Sequence, residues 1–261
     1  MHWRAGDRSL DKLTVIALAT SSVVLLGSFL LGGPKLPGLG GDLLIAGRRG
    51  DLANYPENTL EGVLSAASQL APAIEIDIRM SADGTLFLMH DDTVDRTTSG
   101  MGLIKEMRDA DVLHLRADMG LRVPRLEAVL DALSGYRGVF LLDAKGDSVE
   151  HAALARLIVS RNLVDQVWIA CYTAESVRAV RQVSRALSTY GAAHTGADAE
   201  LLGSPLPAGG EFADIAITAV PENYHGDETA MMREASIAGV DIFITNDLSA
   251  AMAIARRGAN R

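Results

Sequence analysis

Short apolar runs alternate along this chain with longer segments of helical period, and that alternation limits the fold more than any other feature. Eight runs have strand character: "LLIAG", "AIEIDIRM", "TLFLMH", "GVFLLDAK", "QVWIACY", "STYGAA", "DIAITAV" and "DIFITN". Several are followed by segments with apolar residues three and four apart, such as "TLEGVLSAASQL", "VPRLEAVLDAL", "SVEHAALARLIVSR", "AESVRAVRQVSRAL", "DETAMMREASIAG" and "LSAAMAIARR". Strand and helix in turn imply parallel strands joined by crossover helices. About 220 residues and eight strands suit a (β/α)8 TIM barrel. An open doubly wound sheet is the alternative, but its glycine-rich G-x-G-x-x-G turn is missing.

The start of the chain has a different character. From Leu13 to Pro34 run 22 residues without a charge, the length a helix needs to cross a bilayer core. A single transmembrane helix over 13–33 is expected, with a cleaved signal peptide or a buried core helix as alternatives. A signal peptide usually has a shorter apolar core and a small-x-small cleavage site, which is not evident before Pro34. Arg4, Arg8 and Lys12 precede the span and only Lys35 follows it closely, so residues 1–12 are expected in the cytoplasm and the barrel outside it. Residues 34–42, rich in Gly and Pro, read as a linker, and 43–261 as the barrel domain.

Of the 261 residues, 48% are hydrophobic and 22% charged, as in an ordered globular protein. A net charge of -9 with no basic run argues against nucleic acid as a partner. The single cysteine, Cys171, lies in the apolar run "QVWIACY", where it reads as a small buried hydrophobe.

Chemistry-bearing side chains gather at strand ends. In "AIEIDIRM" Ile74, Ile76 and Ile78 alternate with Glu75, Asp77 and Arg79, so both carboxylates share a face. Two close carboxylates are costly to bury without a cation or a basic partner between them, and hard divalent cations take oxygen ligands. The even alternatives are a metal site and an ion pair with Arg79 or another base. "GVFLLDAKGD" places Asp143 and Lys145 together near the C-terminal end of a strand, where barrel active sites form. His90 ends "TLFLMH" and is able to exchange a proton near neutral pH.

Taken together, "RRGDLANYPENT", "IEIDIRMSADGTLFLMHDD", "DRTTSGMG", "VPRLEAVL" and "LLDAKGD" resemble, in order and spacing, the successive motifs of the glycerophosphodiester phosphodiesterase family, covering about 43–147. "GVDIFITNDL" is similar to the family's last barrel strand, while 148–239 is not distinctive and the family's Trp-Thr-Val-Asn motif is missing. "AITAV" could occupy that motif's strand, or "FITN" could be its remnant with the last strand absent. The resemblance implies a barrel that hydrolyses glycerophosphodiesters, or related phospholipid-derived substrates, to glycerol 3-phosphate and an alcohol with a divalent metal ion, Ca²⁺ or Mg²⁺. It makes Glu75, Asp77 and Asp143 metal ligands, the last standing where the family usually has Glu. It makes Arg49 and Lys145 phosphate contacts, Glu57 a further ligand or part of the substrate-side network, and His90 one of two catalytic histidines.

The other histidine is replaced. Where the family reads His-Arg-Gly this chain reads Arg48, Arg49, Gly50, and arginine, with a pKa above about 12, is no base. Arg48 would instead add positive charge on the substrate side. His194 and His225 follow strand runs and are candidate surrogates; His114 and His151 fall in helical segments, and His2 in the tail. Three readings follow: a membrane-anchored metal-dependent phosphodiesterase, a catalytically impaired barrel that binds phosphodiesters or lipid headgroups, and a lysophospholipase-D-like or phospholipase-C-like enzyme.

Overall fold

A computed structural model describes residues 43–202, 215–221, 224 and 228–258. The predicted membrane span lies outside the described residues, and among the described residues no helix is long and apolar enough to cross a membrane.

Nine strands form one sheet: β1 (Leu44–Gly47), β2 (Ala73–Met80), β3 (Leu86–Leu88), β4 (Val139–Ala144), β5 (Val167–Ala170), β6 (Ser188–Gly191), β7 (Ala199–Leu202), β8 (Ala216–Ala219) and β9 (Ile242–Thr245). Eight of them pair in parallel in the order β1-β9-β8-β7-β6-β5-β4-β2, and β2 closes on β1 through Ala46 opposite Ala73 and Gly47 opposite Ile74. The result is a closed eight-stranded parallel barrel. Its helices are α1 (Leu60–Ser68), α2 (Asp109–His114), α3 (Leu126–Ala132), α4 (Ser148–Ser160), α5 (Ala174–Val183), α6 (Glu228–Ala238) and α7 (Leu248–Gly258).

The ring's membership differs from the sequence expectation in two places. "TLFLMH" supplies β3, which pairs antiparallel with the end of β2, Ile78 opposite Leu88 and Met80 opposite Leu86, and stands outside the ring. The reason is length: only residues 81–85 separate β2 from β3, enough for a turn but not for a parallel crossover. Its place is taken by β7, "AELL", which joins β6 and β8. That strand has no β-branched residue, and a single 3₁₀ turn, Ala193–Thr195, replaces the helix before it, so neither strand nor helix periodicity marks this stretch. "DIFITN" is the closing strand β9, bonded to both β1 and β8, so the ring lacks no strand.

Ile74, Ile76 and Ile78 belong to the main core, with Leu126, Leu142 and Leu154 among the other buried members. A second, smaller core of Phe87, Met89, Val94, Ile104, Val112, Leu115 and Val123 holds together the arm that begins at β3 and returns before α3. The loop from β1 to α1 is fixed by backbone geometry. Arg49 and Gly50 are consecutive residues with positive φ, 49° and 93°. A Cβ on Gly50 would lie 2.7 Å from the backbone carbon of Gly62, so glycine is required both for φ and for the close approach to α1. Thr59 caps α1 by accepting from the Gly62 amide.

Candidate active site

Register brings the acids together. On the neighbouring parallel strands β2 and β4, Asp77 lies directly beside Asp143, and Glu75 lies two residues before Asp77 on the same face. All three are buried, and one oxygen from each lies within 4.8 Å of the others. The aspartate at position 143 therefore reaches the other two carboxylates although the family's usual side chain is longer by a methylene.

A cation stands among them already. Lys145 Nζ lies 2.5 Å from Asp143 Oδ2 and 3.1 Å from Asp77 Oδ1. Burial would raise the Asp77 carboxyl, but the Lys145 ammonium, the Arg49 guanidinium and a hydrogen bond from Asn58 hold it below the usual carboxylate range. Burial alone would lower Lys145, and Asp77 with Asp143 outweighs it, so the ammonium keeps its proton. Glu75 is pushed far up by burial and by the charges of Asp77 and Asp143. Asp143 Oδ1 is buried with no hydrogen-bond partner among the described residues. Three converging carboxylates, one of them with an oxygen unpartnered and another unable to ionise freely, fit a hard divalent cation bound through oxygen.

Around this centre the β1–α1 loop acts as a brace. The Arg49 amide donates to Glu75 Oε2 at 2.8 Å. The Arg49 side chain, 3% exposed, pairs with Asp77 Oδ2 and Glu57 Oε2, each at 3.0 Å, and it is not among the side chains lining the cavity. Asn58 donates from Nδ2 to Asp77 Oδ2 at 2.8 Å and accepts from the Asp77 amide at 3.0 Å. Glu57 is held on its other side by Arg96, whose two terminal nitrogens each donate at 2.8 Å.

His90 comes from the arm after β3. Its Nδ1 lies 2.6 Å from Asp91 Oδ1, and Arg96 Nε donates to Asp91 Oδ2 at 2.6 Å. Arg96 holds the Asp91 carboxyl well below the usual range. Arg79 ties down the backbone, donating from Nε to the His90 carbonyl at 3.1 Å and from Nη1 to the Lys145 carbonyl at 3.0 Å. Arg79, one candidate base for pairing with the two acids on its own strand, forms its ion pair with Asp92 instead, at 2.6 Å, and the base beside Asp77 and Asp143 is Lys145.

The cavity above the carboxylates, about 360 Å³, is lined on one side by Glu75, Asp77, Asp143, Lys145 and Tyr172 and on the other by Arg48 and apolar side chains of β7 to β9. The Tyr172 hydroxyl donates to Asp143 Oδ2 at 2.6 Å, and Lys145 Nζ stands 5.8 Å from its ring centre. Arg48 Nη1 donates to the Val220 carbonyl at 2.7 Å. His194 is exposed after β6 and does not line the cavity, and His225 lies outside the described residues. His151 is buried in α4 with its ring nitrogens 2.8 Å from the Asp147 carbonyl and 3.0 Å from the Ala170 carbonyl; His114 is exposed.

Sequence reasoning passed over Asn58, Asp91, Arg96 and Tyr172 as parts of this constellation. Tyr172 carried a usable signal, since it follows β5 at the same end of the barrel as Lys145 follows β4. The contacts of Asn58 and Arg96 join residues 19 and 39 positions apart, which no local pattern reveals.

Oxygen ligands suited to a hard cation and an ammonium at the C-terminal ends of the ring strands, with an imidazole on the adjoining arm, define a parallel barrel whose polar site sits at its C-terminal mouth. The comparisons narrow the class. Residues 49–200 match the model of the glycerophosphoryl diester phosphodiesterase family, and the chain belongs to that family. Over 170 residues it is 31% identical to a glycerophosphodiester phosphodiesterase of Bacillus subtilis, a match covering 56% of this chain and 58% of that relative. A crystal structure of glycerophosphodiester phosphodiesterase from Agrobacterium tumefaciens superposes with a TM-score of 0.65 at 25% identity, covering 80% of this chain and 99% of that one. A phosphodiesterase from Oleispira antarctica, solved with the product sn-glycerol-3-phosphate, shares the fold with a TM-score of 0.67 at 17% identity, covering 83% and 97%.

Proposed function

We propose that this barrel hydrolyses glycerophosphodiesters to glycerol 3-phosphate and an alcohol. The observation that carries the reading is the convergence of Glu75, Asp77 and Asp143 with Lys145 at the mouth of a barrel of this family. The product held by the Oleispira protein is the one such a reaction releases.

Glu75, Asp77 and Asp143 would hold a divalent ion, Ca²⁺ or Mg²⁺, which when bound supplies Lewis-acid polarisation of a phosphoryl oxygen. Lys145 donates to a non-bridging phosphate oxygen, leaving Asp77 and Asp143 to the ion. An oxygen nucleophile forms the new bond to phosphorus, the ester bond to the alcohol breaks, and His90 gives a proton to the departing oxygen or takes one from the nucleophile. Asp91 fixes the imidazole, and Arg96 fixes Asp91. Arg49 holds Asp77 and Glu57; direct contact with phosphate, the role its family motif implies, requires the guanidinium to release one of them. Arg48 supplies charge and no proton transfer.

The uncharged stretch 13–33 and the basic residues before it support a further part of the proposal, that the chain is anchored in a membrane with its barrel on the extracytoplasmic side. Protease added to intact spheroplasts then degrades the barrel; full protection overturns this orientation.

The test of activity is release of glycerol 3-phosphate from a panel of glycerophosphodiesters by the full chain in detergent. Turnover is expected with added Ca²⁺ or Mg²⁺, abolished by a chelator and by His90→Ala. A folded protein with no turnover across the panel refutes hydrolysis. Arg48 motivates a second reading, a phosphodiester-binding barrel without catalysis, for which binding without turnover is the signature.

A further inference from the structure

Two cations line the cavity, and they are in different states. Lys145 is paired with Asp77 and Asp143. Arg48 has no carboxylate partner among the described residues: its hydrogen bonds are from Nη1 alone, to the Val220 carbonyl at 2.7 Å and to Asn246 Oδ1 at 3.5 Å, which leaves Nε and Nη2 without partners there. A guanidinium presents five N–H groups in a planar fork, so most of its donor capacity is uncommitted.

Strand order fixes where that capacity points. Val220 follows β8 and Asn246 follows β9, whereas Asp143 and Lys145 stand at the end of β4. In the closed ring β8 is four strands from β4 in either direction and three from β2, so the bond to Val220 draws the guanidinium away from the carboxylate cluster and across the mouth from Asp143 and Lys145. Between the two poles the wall is Tyr190, Leu201, Leu202, Ala219 and Ile244. Apart from the Tyr190 hydroxyl these side chains carry no acceptor for the guanidinium, and their apolar surface weakens dielectric screening of any charge brought to it.

We infer that Arg48 is the anchor of a second anion subsite, and that the preferred substrate is a phosphodiester carrying another carboxylate or phosphate on the portion that extends from phosphorus towards β8 and β9. The inference rests on the proposed phosphodiester site and deepens it. A phosphate seated at Glu75, Asp77, Asp143 and Lys145 leaves Arg48 to meet the far part of the molecule, where a carboxylate takes two parallel N–H donors and a neutral or cationic group takes none. Discrimination comes from the same source, because an ammonium in that place faces a like charge.

Glycerophosphoserine and glycerophosphoethanolamine differ by one carboxylate and make the test pair. Their affinities for the full chain with Ca²⁺ are read by titration calorimetry in a His90→Ala background, so that turnover does not consume ligand, and kcat/KM is read beside them in the parent. The serine diester is expected to bind at least about ten-fold more tightly, as one charge-assisted bidentate contact allows. Arg48→Met should erase the ratio and Arg48→Lys should keep part of it, with melting temperatures confirming both folds. Equal and measurable affinities, or a preference that survives Arg48→Met, overturn the subsite while leaving the phosphodiester site in place. Equal loss of both ligands in Arg48→Met also overturns it, because it assigns Arg48 to the shared phosphate. Absence of binding and turnover for both diesters overturns the underlying phosphodiester reading and the subsite with it.

Discussion

Replacing Arg48 by histidine puts an imidazole back at the end of β1, and the expected result is a large gain in kcat. Arg48 directly follows β1, whose neighbours are β2 with Glu75 and β9, and its side chain lines the cavity that holds the carboxylates. The backbone there does not depend on the side chain: the Arg48 amide donates to the Thr245 carbonyl at 3.0 Å, and the next amide donates to Glu75 at 2.8 Å. A shorter side chain loses the hold on Val220 and draws back from β8. Loss of that one partly buried hydrogen bond costs about 1 kcal/mol of stability, too little to unfold a domain. Against this, a positioned acid or base contributes about 10²- to 10⁴-fold, or roughly 3–5 kcal/mol of barrier. A rise of about 10²-fold is therefore expected, with KM changing less, and with the pH–rate profile acquiring a second limb as two imidazoles come to share the proton transfers. The assay is steady-state release of glycerol 3-phosphate across pH, with Arg48→Gln as the control that removes charge without adding an imidazole. If Arg48→His is folded, binds Ca²⁺ as the parent does, and is no faster than Arg48→Gln, the missing histidine is not what limits this site.

Asn58 sits at φ 57° and bonds Asp77 in both directions, so Asn58→Ala should destabilise by about 2–4 kcal/mol in urea unfolding and Asn58→Gly by less, since glycine keeps the backbone; an Ala variant no less stable than Gly would contradict this. Glu150 accepts from the Met80 and Gly146 amides, and burial raises its carboxyl above the ordinary 4.5. Folding thus favours its protonated form, and its contribution to stability is lost as pH rises from about 4.5 through the raised value; the advantage of the parent over Glu150→Gln should shrink over that window, and a gap constant with pH would refute the assignment. Burial pushes the Cys171 thiol up to about 12, so a disulfide reagent at pH 8 should label no thiol in the folded protein and one per chain in urea. Labelling of the folded protein at the rate of a free thiol would overturn the burial argument.

How much of this was readable beforehand follows from the range of each interaction. The barrel was legible because most of its strand–helix units carry their own local periodicity, with β7 the exception. The acid cluster was legible because Glu75 and Asp77 alternate with buried isoleucines, and because Asp143 and Lys145 repeat the arrangement on a later strand. The arm was misread because the apolar pattern of "TLFLMH" says strand without saying parallel; the short link before it held that information. The bracing of His90 was not legible, since Glu57, Arg96 and Asp91 acquire meaning only once the arm folds back on the β1–α1 loop. The family motif separates Arg49 from Arg48 by position, but where each guanidinium goes was not legible. The structure separates them by turning one guanidinium in towards Asp77 and leaving the other across the mouth.

The arm's smaller core sets His90 apart from the acids, which stand on the ring. Glu75, Asp77, Asp143 and Lys145 ride on the ring, whose strands share one large core, while His90 rides on an arm that gives Leu86 and Leu88 to that core and is otherwise held by seven buried side chains of its own. Sub-global opening draws on the smaller set first, so amides of the arm should exchange with solvent before those of β2 and β4. A chain caught in that opened form would keep its acidic cluster assembled and have its proton donor detached. In that form the binding of an ion would persist while proton transfer was lost, so the two would respond differently to mild denaturant.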